Sequence, residues 1–169
     1  MLWLLNSVPP IMEKGNNKFI LILPNIRSGH NVGAMFRTAD GAGVDKIYLT
    51  GYSPRPPHPQ VDKVSLGAEK SVPWEYIKQS GRLLKKLKSD GYHIVALEQT
   101  PKSVTLYRWK PKFPLVLIVG NEKTGVTKNF LKYCDEVIDI PMRGEKVSLN
   151  VSVASGVVLY HIAKYISGK

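Results

Sequence analysis

Short, almost uninterrupted apolar runs recur along the chain with helix-like segments between them, and no other feature narrows the possible folds as much. The runs cover residues 19–23, 46–49, 93–97, 115–119 and 137–140, and their length and composition read as strands. A strand with one wet face alternates apolar and polar residues, whereas one covered on both faces is apolar throughout. Residues 31–41, 75–89, 128–134 and 150–166 carry the helical spacing that could supply that cover. The expected fold class is therefore α/β, with a mostly parallel sheet and helices on both faces. Residues 54–59 hold Pro54, Pro56, Pro57 and Pro59 and read as a stiff loop rather than a boundary. One domain is expected over residues 1–169.

Charge points to the partner. Twenty-four Lys and Arg against 13 Asp and Glu leave a formal charge of +11, an excess suited to a polyanion such as nucleic acid. Cys134 is the only cysteine, so the chain has no intrachain disulfide, and a cysteine metal cluster is not expected. His30, His58, His93 and His161 lack ligand spacing, and no metal site is expected. The apolar start, Met1-Leu2-Trp3-Leu4-Leu5, stops at Asn6-Ser7 before Pro9-Pro10. That is too short for a signal sequence or a membrane span. A cytoplasmic protein with no membrane partner is expected.

Three polar segments beside the apolar runs are candidates for chemistry, because open α/β sheets build sites at the carboxyl ends of their strands. In the first, Asn31 is a natural helix cap, and Val32, Met35, Phe36 and Ala39 form a stripe for burial. Arg37 falls on the opposite face among Gly33, Ala34 and Gly41, which leave room for another backbone, a subunit or a ribose-phosphate. An ordinary solvated arginine fits the same position. The second segment, Gly120-Asn121-Glu122-Lys123-Thr124-Gly125, follows the run at 115–119. Its glycine spacing breaks the phosphate-loop pattern, and Gly41-Ala42-Gly43 likewise fails as a dinucleotide fingerprint. Glu122 could equally be a loop carboxylate bonded to backbone amides. In the third, Ser148-Leu149-Asn150 opens the last helix, where capping alone would explain both polar residues.

Together, in order and spacing, the three segments resemble the motifs of the SpoU/TrmH branch of the SPOUT RNA methyltransferases. That resemblance implies S-adenosylmethionine-dependent methylation of a ribose 2′-hydroxyl in structured RNA, with tRNA favoured over rRNA. It implies catalytic roles for Asn31, Arg37, Glu122, Ser148 and Asn150. Arg37 would act either as base or as an electrostatic clamp, and the clamp suits a guanidinium that keeps its proton. The cofactor would lie against Leu97, Glu98, Thr100, Gly120, Asn121, Ile140, Met142 and Leu149. Also implied are a C-terminal trefoil knot and a homodimer. RNA contacts are expected at Arg37, Arg55, Arg108, Lys110 and Lys123. Between Lys102 and Lys112, Tyr107 and Trp109 interleave with cations, a pattern for stacking bases, although Trp109 could instead pin the loop to the core.

The chain has no stretch that reads as a separate RNA-binding domain, and Lys123-Thr124 departs mildly from the smaller residues common in relatives. Two other readings remain: a catalytically silent RNA-binding protein on the same scaffold, and an unrelated nucleotide-binding α/β enzyme.

Overall fold

The computed structural model describes residues 17–166; the apolar start of the chain lies outside them. Seven parallel strands form one sheet: β1 (Phe19–Pro24), β2 (Lys46–Thr50), β3 (Trp74–Ile77), β4 (His93–Leu97), β5 (Val104–Thr105), β6 (Leu115–Val119) and β7 (Glu136–Asp139). Their order is β3-β2-β1-β6-β4-β7-β5. Every pairing between these strands is parallel, with Leu21 of β1 opposite Ile47 on one side and Leu117 on the other.

The period of two explains the unbroken apolar runs. Phe19, Leu21, Leu23, Leu115, Leu117 and Val119 face one layer, while Ile20, Ile22, Val116 and Ile118 face the other. Helices α1 (Gly29–Ala42), α2 (Pro59–Ser65), α3 (Ala68–Ser71) and α6 (Val151–Ile166) belong to the first layer. The second is covered by α4 (Ser80–Ser89) and α5 (Lys128–Leu131), through Leu83, Leu84, Leu87 and Phe130. The stripe expected on the first long helix is fully buried: Val32, Met35, Phe36 and Ala39. Gly43 ends α1 at φ 73°, a left-handed turn that glycine adopts without a Cβ penalty.

Three local expectations change, and at Trp109 the second of the two readings holds. The segment 75–89 is not one helix: Trp74–Ile77 pairs with β2 as an edge strand, and helix begins only at Ser80. β-Favouring aromatics and the Lys46–Glu75 ion pair at 2.8 Å suit that edge. Pro59 does not merely close a loop; it opens α2, where its missing N–H costs nothing. The helix at 128–134 is a single turn, Lys128–Leu131. Finally, Trp109 is buried and donates its indole N–H to Glu136 at 3.0 Å, so it pins its loop and offers no face to a base. Tyr107 stays exposed.

Winding runs outward from β1 in both directions: β2 and β3 on one flank, β6 on the other. β1 leads into α1 on one face of the sheet and β6 towards α5 on the other, so the strand order reverses between them, the kind of place at which α/β sheets bind ligands. No helix among the described residues is long and apolar enough to cross a membrane.

Candidate active site

On the β4 and β7 side of that point, the loops after β4, β6 and β7 and the start of α6 enclose a cleft of about 530 Å³. Two glycines let the β6 loop form. A Cβ on Gly120 would lie 2.5 Å from the carbonyl carbon of Gly125, and Gly125 itself sits at φ 64° with its missing Cβ position against the Glu98 carboxylate. Reciprocal backbone bonds between Asn121 and Gly125, at 3.1 and 2.9 Å, close the turn. Glu98 secures it from β4, accepting N–H bonds from Val126 at 2.6 Å and Gln99 at 2.8 Å.

Seven of the eight residues expected at a cofactor line this cleft: Leu97, Glu98, Gly120, Asn121, Ile140, Met142 and Leu149. Thr100 does not. Its carbonyl and N–H are tied to the Ser103 hydroxyl, and its own hydroxyl accepts from the Lys102 N–H, so it builds the next turn. The Asn121 side chain is also spent on structure. It accepts from the Lys123 and Thr124 N–H groups and donates to the Asn25 carbonyl and the Tyr52 phenol oxygen.

Glu122 projects from the β6 loop to the start of α1. Its carboxylate accepts from the backbone N–H of Arg27 (2.9 Å) and Ser28 (3.1 Å) and from Asn31 Nδ2 (2.9 Å). Burial opposes its ionisation, but the bonds from Arg27, Asn31 and Ser28 outweigh that and hold its pKa below the ordinary value. The positive end of α1 favours the same charge. The backbone-bonded carboxylate and the member of a polar site are thus one residue.

Asn31 differs from expectation in an instructive way. Ser28 caps α1, accepting the Asn31 N–H at 3.4 Å. The Asn31 side chain is thereby free to bridge: it donates to Glu122 and accepts from Asn150 Nδ2 at 3.3 Å. Asn150 meanwhile caps α6 through its Oδ1, which accepts the Ser152 N–H at 2.9 Å. One hydrogen-bonded chain, Asn150–Asn31–Glu122, thus joins all three sequence segments at the mouth of the cleft, which Ser148 also lines.

Arg37 is exposed on α1 and does not line the cleft. The small residues beside it have packing duties. Gly33 lies under α2, where a Cβ would come within 2.6 Å of the Val61 carbonyl oxygen, and Gly41 faces the Tyr160 hydroxyl. The α2 backbone fills the space at Gly33, and the Tyr160 side chain that at Gly41. Arg55 lies over the Tyr76 ring at 4.0 Å, while Arg108, Lys110 and Lys123 are exposed. Of these only Lys123 lines the cleft. Sequence reasoning missed the Arg27 and Ser28 amides, since backbone donors leave no trace in residue identity.

The chain is 35% identical over 163 residues to the 23S rRNA (guanosine-2′-O-)-methyltransferase RlmB of Yersinia pestis, an overlap of 94% of this chain and 64% of that protein. It is 33% identical to the Escherichia coli K12 protein of the same name over 159 residues, 94% of this chain and 65% of that one. The chain thus spans just under two thirds of the length of these relatives. Among solved structures, the A. aeolicus TrmH/SpoU tRNA modifying enzyme superposes with a TM-score of 0.81 at 32% identity, covering 89% of this chain and 76% of that one. An AdoMet-bound rRNA methyltransferase from Sinorhizobium meliloti shares the fold, with a TM-score of 0.83 at 24% identity over 90% of this chain and 58% of that one. Residues 18–160 match the SpoU rRNA Methylase family model from the lysine before β1 to the third turn of α6, and the chain belongs to that family.

Proposed function

We propose that this chain transfers a methyl group from S-adenosylmethionine to a ribose 2′-hydroxyl of ribosomal RNA. The observation that carries the reading is the Asn150–Asn31–Glu122 chain at the mouth of a cleft of about 530 Å³. The curated relatives' names support rRNA, specifically a 23S guanosine, over the tRNA favoured by sequence resemblance alone.

The cleft fits the cofactor chemically. Leu97, Ile140, Met142 and Leu149 offer apolar contact for an adenosine, while the close approach of Gly120 to Gly125 keeps side chains out of the way. Glu98 and Asp139 also line the cleft, and their negative charge would suit a sulfonium cation. Bound there, S-adenosylmethionine would supply an electrophilic methyl group for in-line attack by the ribose oxygen.

This chain's own residues must orient that oxygen and favour its developing charge. Arg37, permanently cationic, serves the second purpose by gripping the substrate's phosphate and ribose oxygen. Glu122 and Asn31 are positioning residues: they clamp the β6 loop to α1 so that cleft and substrate face keep one geometry.

A homodimer completes the proposal. Val153, Val157 and Tyr160 form an exposed stripe on α6, the helix whose first turn lines the cleft. A second copy seated there would cover the stripe and would bring its own exposed Arg37 to this cleft, which this chain's Arg37 does not line. The knot implied by resemblance is part of the same proposal.

Methyl transfer from labelled S-adenosylmethionine to unmodified 23S rRNA and tRNA transcripts, with nucleoside mass spectrometry, is the test. A 2′-O-methylguanosine in 23S rRNA is expected. Arg37→Ala should lower kcat about 10²- to 10³-fold, the scale for losing one donor at a developing oxyanion, without weakening cofactor binding. Cofactor binding with no transfer to any RNA would favour the silent RNA-binding scaffold instead.

A further inference from the structure

Beside the cleft, where β2 ends, Tyr52 exposes 63% of its surface. It is not a loose side chain. Its backbone N–H donates to Asn25 Oδ1 at 3.3 Å, and its phenol oxygen accepts from Asn121 Nδ2 at 2.9 Å. Asn121 is itself buried, and Glu122 is the next residue, so the ring is tethered to the loop that carries the site. Its approach depends on Gly51, at φ 65° with no room for a Cβ against the Asn25 amide.

A cation stands close by. The Arg55 guanidinium lies 4.0 Å from the centre of the Tyr76 ring, and the Tyr76 hydroxyl donates to the Gly51 carbonyl at 3.0 Å. Arg27, whose amide holds Glu122, is exposed on the neighbouring loop. Core packing does not account for an aromatic face tied at both ends and turned to water.

We propose that Tyr52 is a stacking platform for an unpaired base of the RNA substrate adjacent to the target ribose, with Arg55 meeting the neighbouring phosphate. This rests on the methyltransferase reading and gives it a selection rule. Unstacked bases lie readily on aromatic faces, whereas bases within a duplex are already stacked on one another. A tethered tyrosine loses little conformational freedom when a base settles on it. The site therefore takes its target from a loop, bulge or opened strand rather than from a helix.

Steady-state methyl transfer by the full chain to unmodified 23S rRNA and tRNA transcripts tests this, alongside S-adenosylmethionine affinity by calorimetry and oligomeric state by light scattering. Tyr52→Ser should raise the KM for RNA about five- to a hundredfold, the scale of one lost base–aromatic stack. Its kcat, cofactor affinity and assembly should stay unchanged. Tyr52→Phe keeps the ring and loses only the phenol acceptor, so its KM should stay close to that of the original chain. An unaltered KM in Tyr52→Ser would overturn the proposal. So would equal damage in both variants with weakened cofactor binding, which would assign the residue to the Asn121 tether. Loss of a dimer in Tyr52→Ser would overturn it too, by placing the ring in a subunit interface. If the original chain methylates neither RNA, the methyltransferase reading itself falls.

Discussion

Glu122 gathers three N–H donors from residues more than 90 positions away in sequence, and this makes its charge a fold-dependent quantity. Asn31→Ala removes the side-chain donor and strands the Asn150 amide, so Glu122 should become easier to protonate. A hydrogen bond to a charged partner contributes about 1.5–3 kcal/mol, and kcat/KM should fall roughly tenfold or more. Steady-state kinetics with cofactor affinity measured separately will check this. Because the folded pKa lies below the ordinary 4.5, Glu122 stabilises the fold above that pH. The contribution disappears as pH falls through the depressed value. Glu122→Gln should therefore be less stable than the original chain at pH 7, with the gap closing under acid. Urea unfolding at a series of pH values would show a constant gap if the residue were merely solvated.

At the scale of elements, α1 is where packing and site meet. One face buries Met35 and Phe36, another lies under α2 at Gly33, and its first turn carries Asn31. Gly33→Ala would set a methyl 2.6 Å from the Val61 carbonyl oxygen and 2.9 Å from Val64 Cβ. Overpacking costs about 1–3 kcal/mol, against about 1 kcal/mol gained in helix propensity. A lower denaturant midpoint is expected. The elements best read from sequence were those with a strong period: the α1 stripe, and β1 and β6 with their unbroken apolar runs. Edge elements were harder. β5 has two residues, and the β3 edge ran into a helical pattern that began at Ser80. Pairing with a neighbour defines such strands, and a neighbour is invisible to local spacing. The candidate site was legible as residue types, since Glu122, Ser148 and Asn150 do line the cleft. Its wiring was not. Asn31 resembles a cap, but Ser28 caps the helix, and only that substitution of duty frees Asn31 to bridge.

At the scale of the whole molecule, α6 is buried through Val158, Leu159 and Ile162 yet bares Val153, Val157 and Tyr160. If a second copy covers that stripe, Val157→Asp should convert a dimer to a monomer in light scattering without unfolding it, and methyl transfer should fall with the dimer. A monomer in the unaltered chain would remove that part of the proposal. The Asn150–Asn31–Glu122 chain also has a consequence in time. All seven strands are complete by Asp139, whereas Ser148 and Asn150 come later. During synthesis every described strand therefore precedes the last link of the site. A product cut short in that interval would lack both Asn150, the last link of the polar chain, and the α6 residues Val158, Leu159 and Ile162 that complete the core, so one closing segment of chain finishes the site and the fold together.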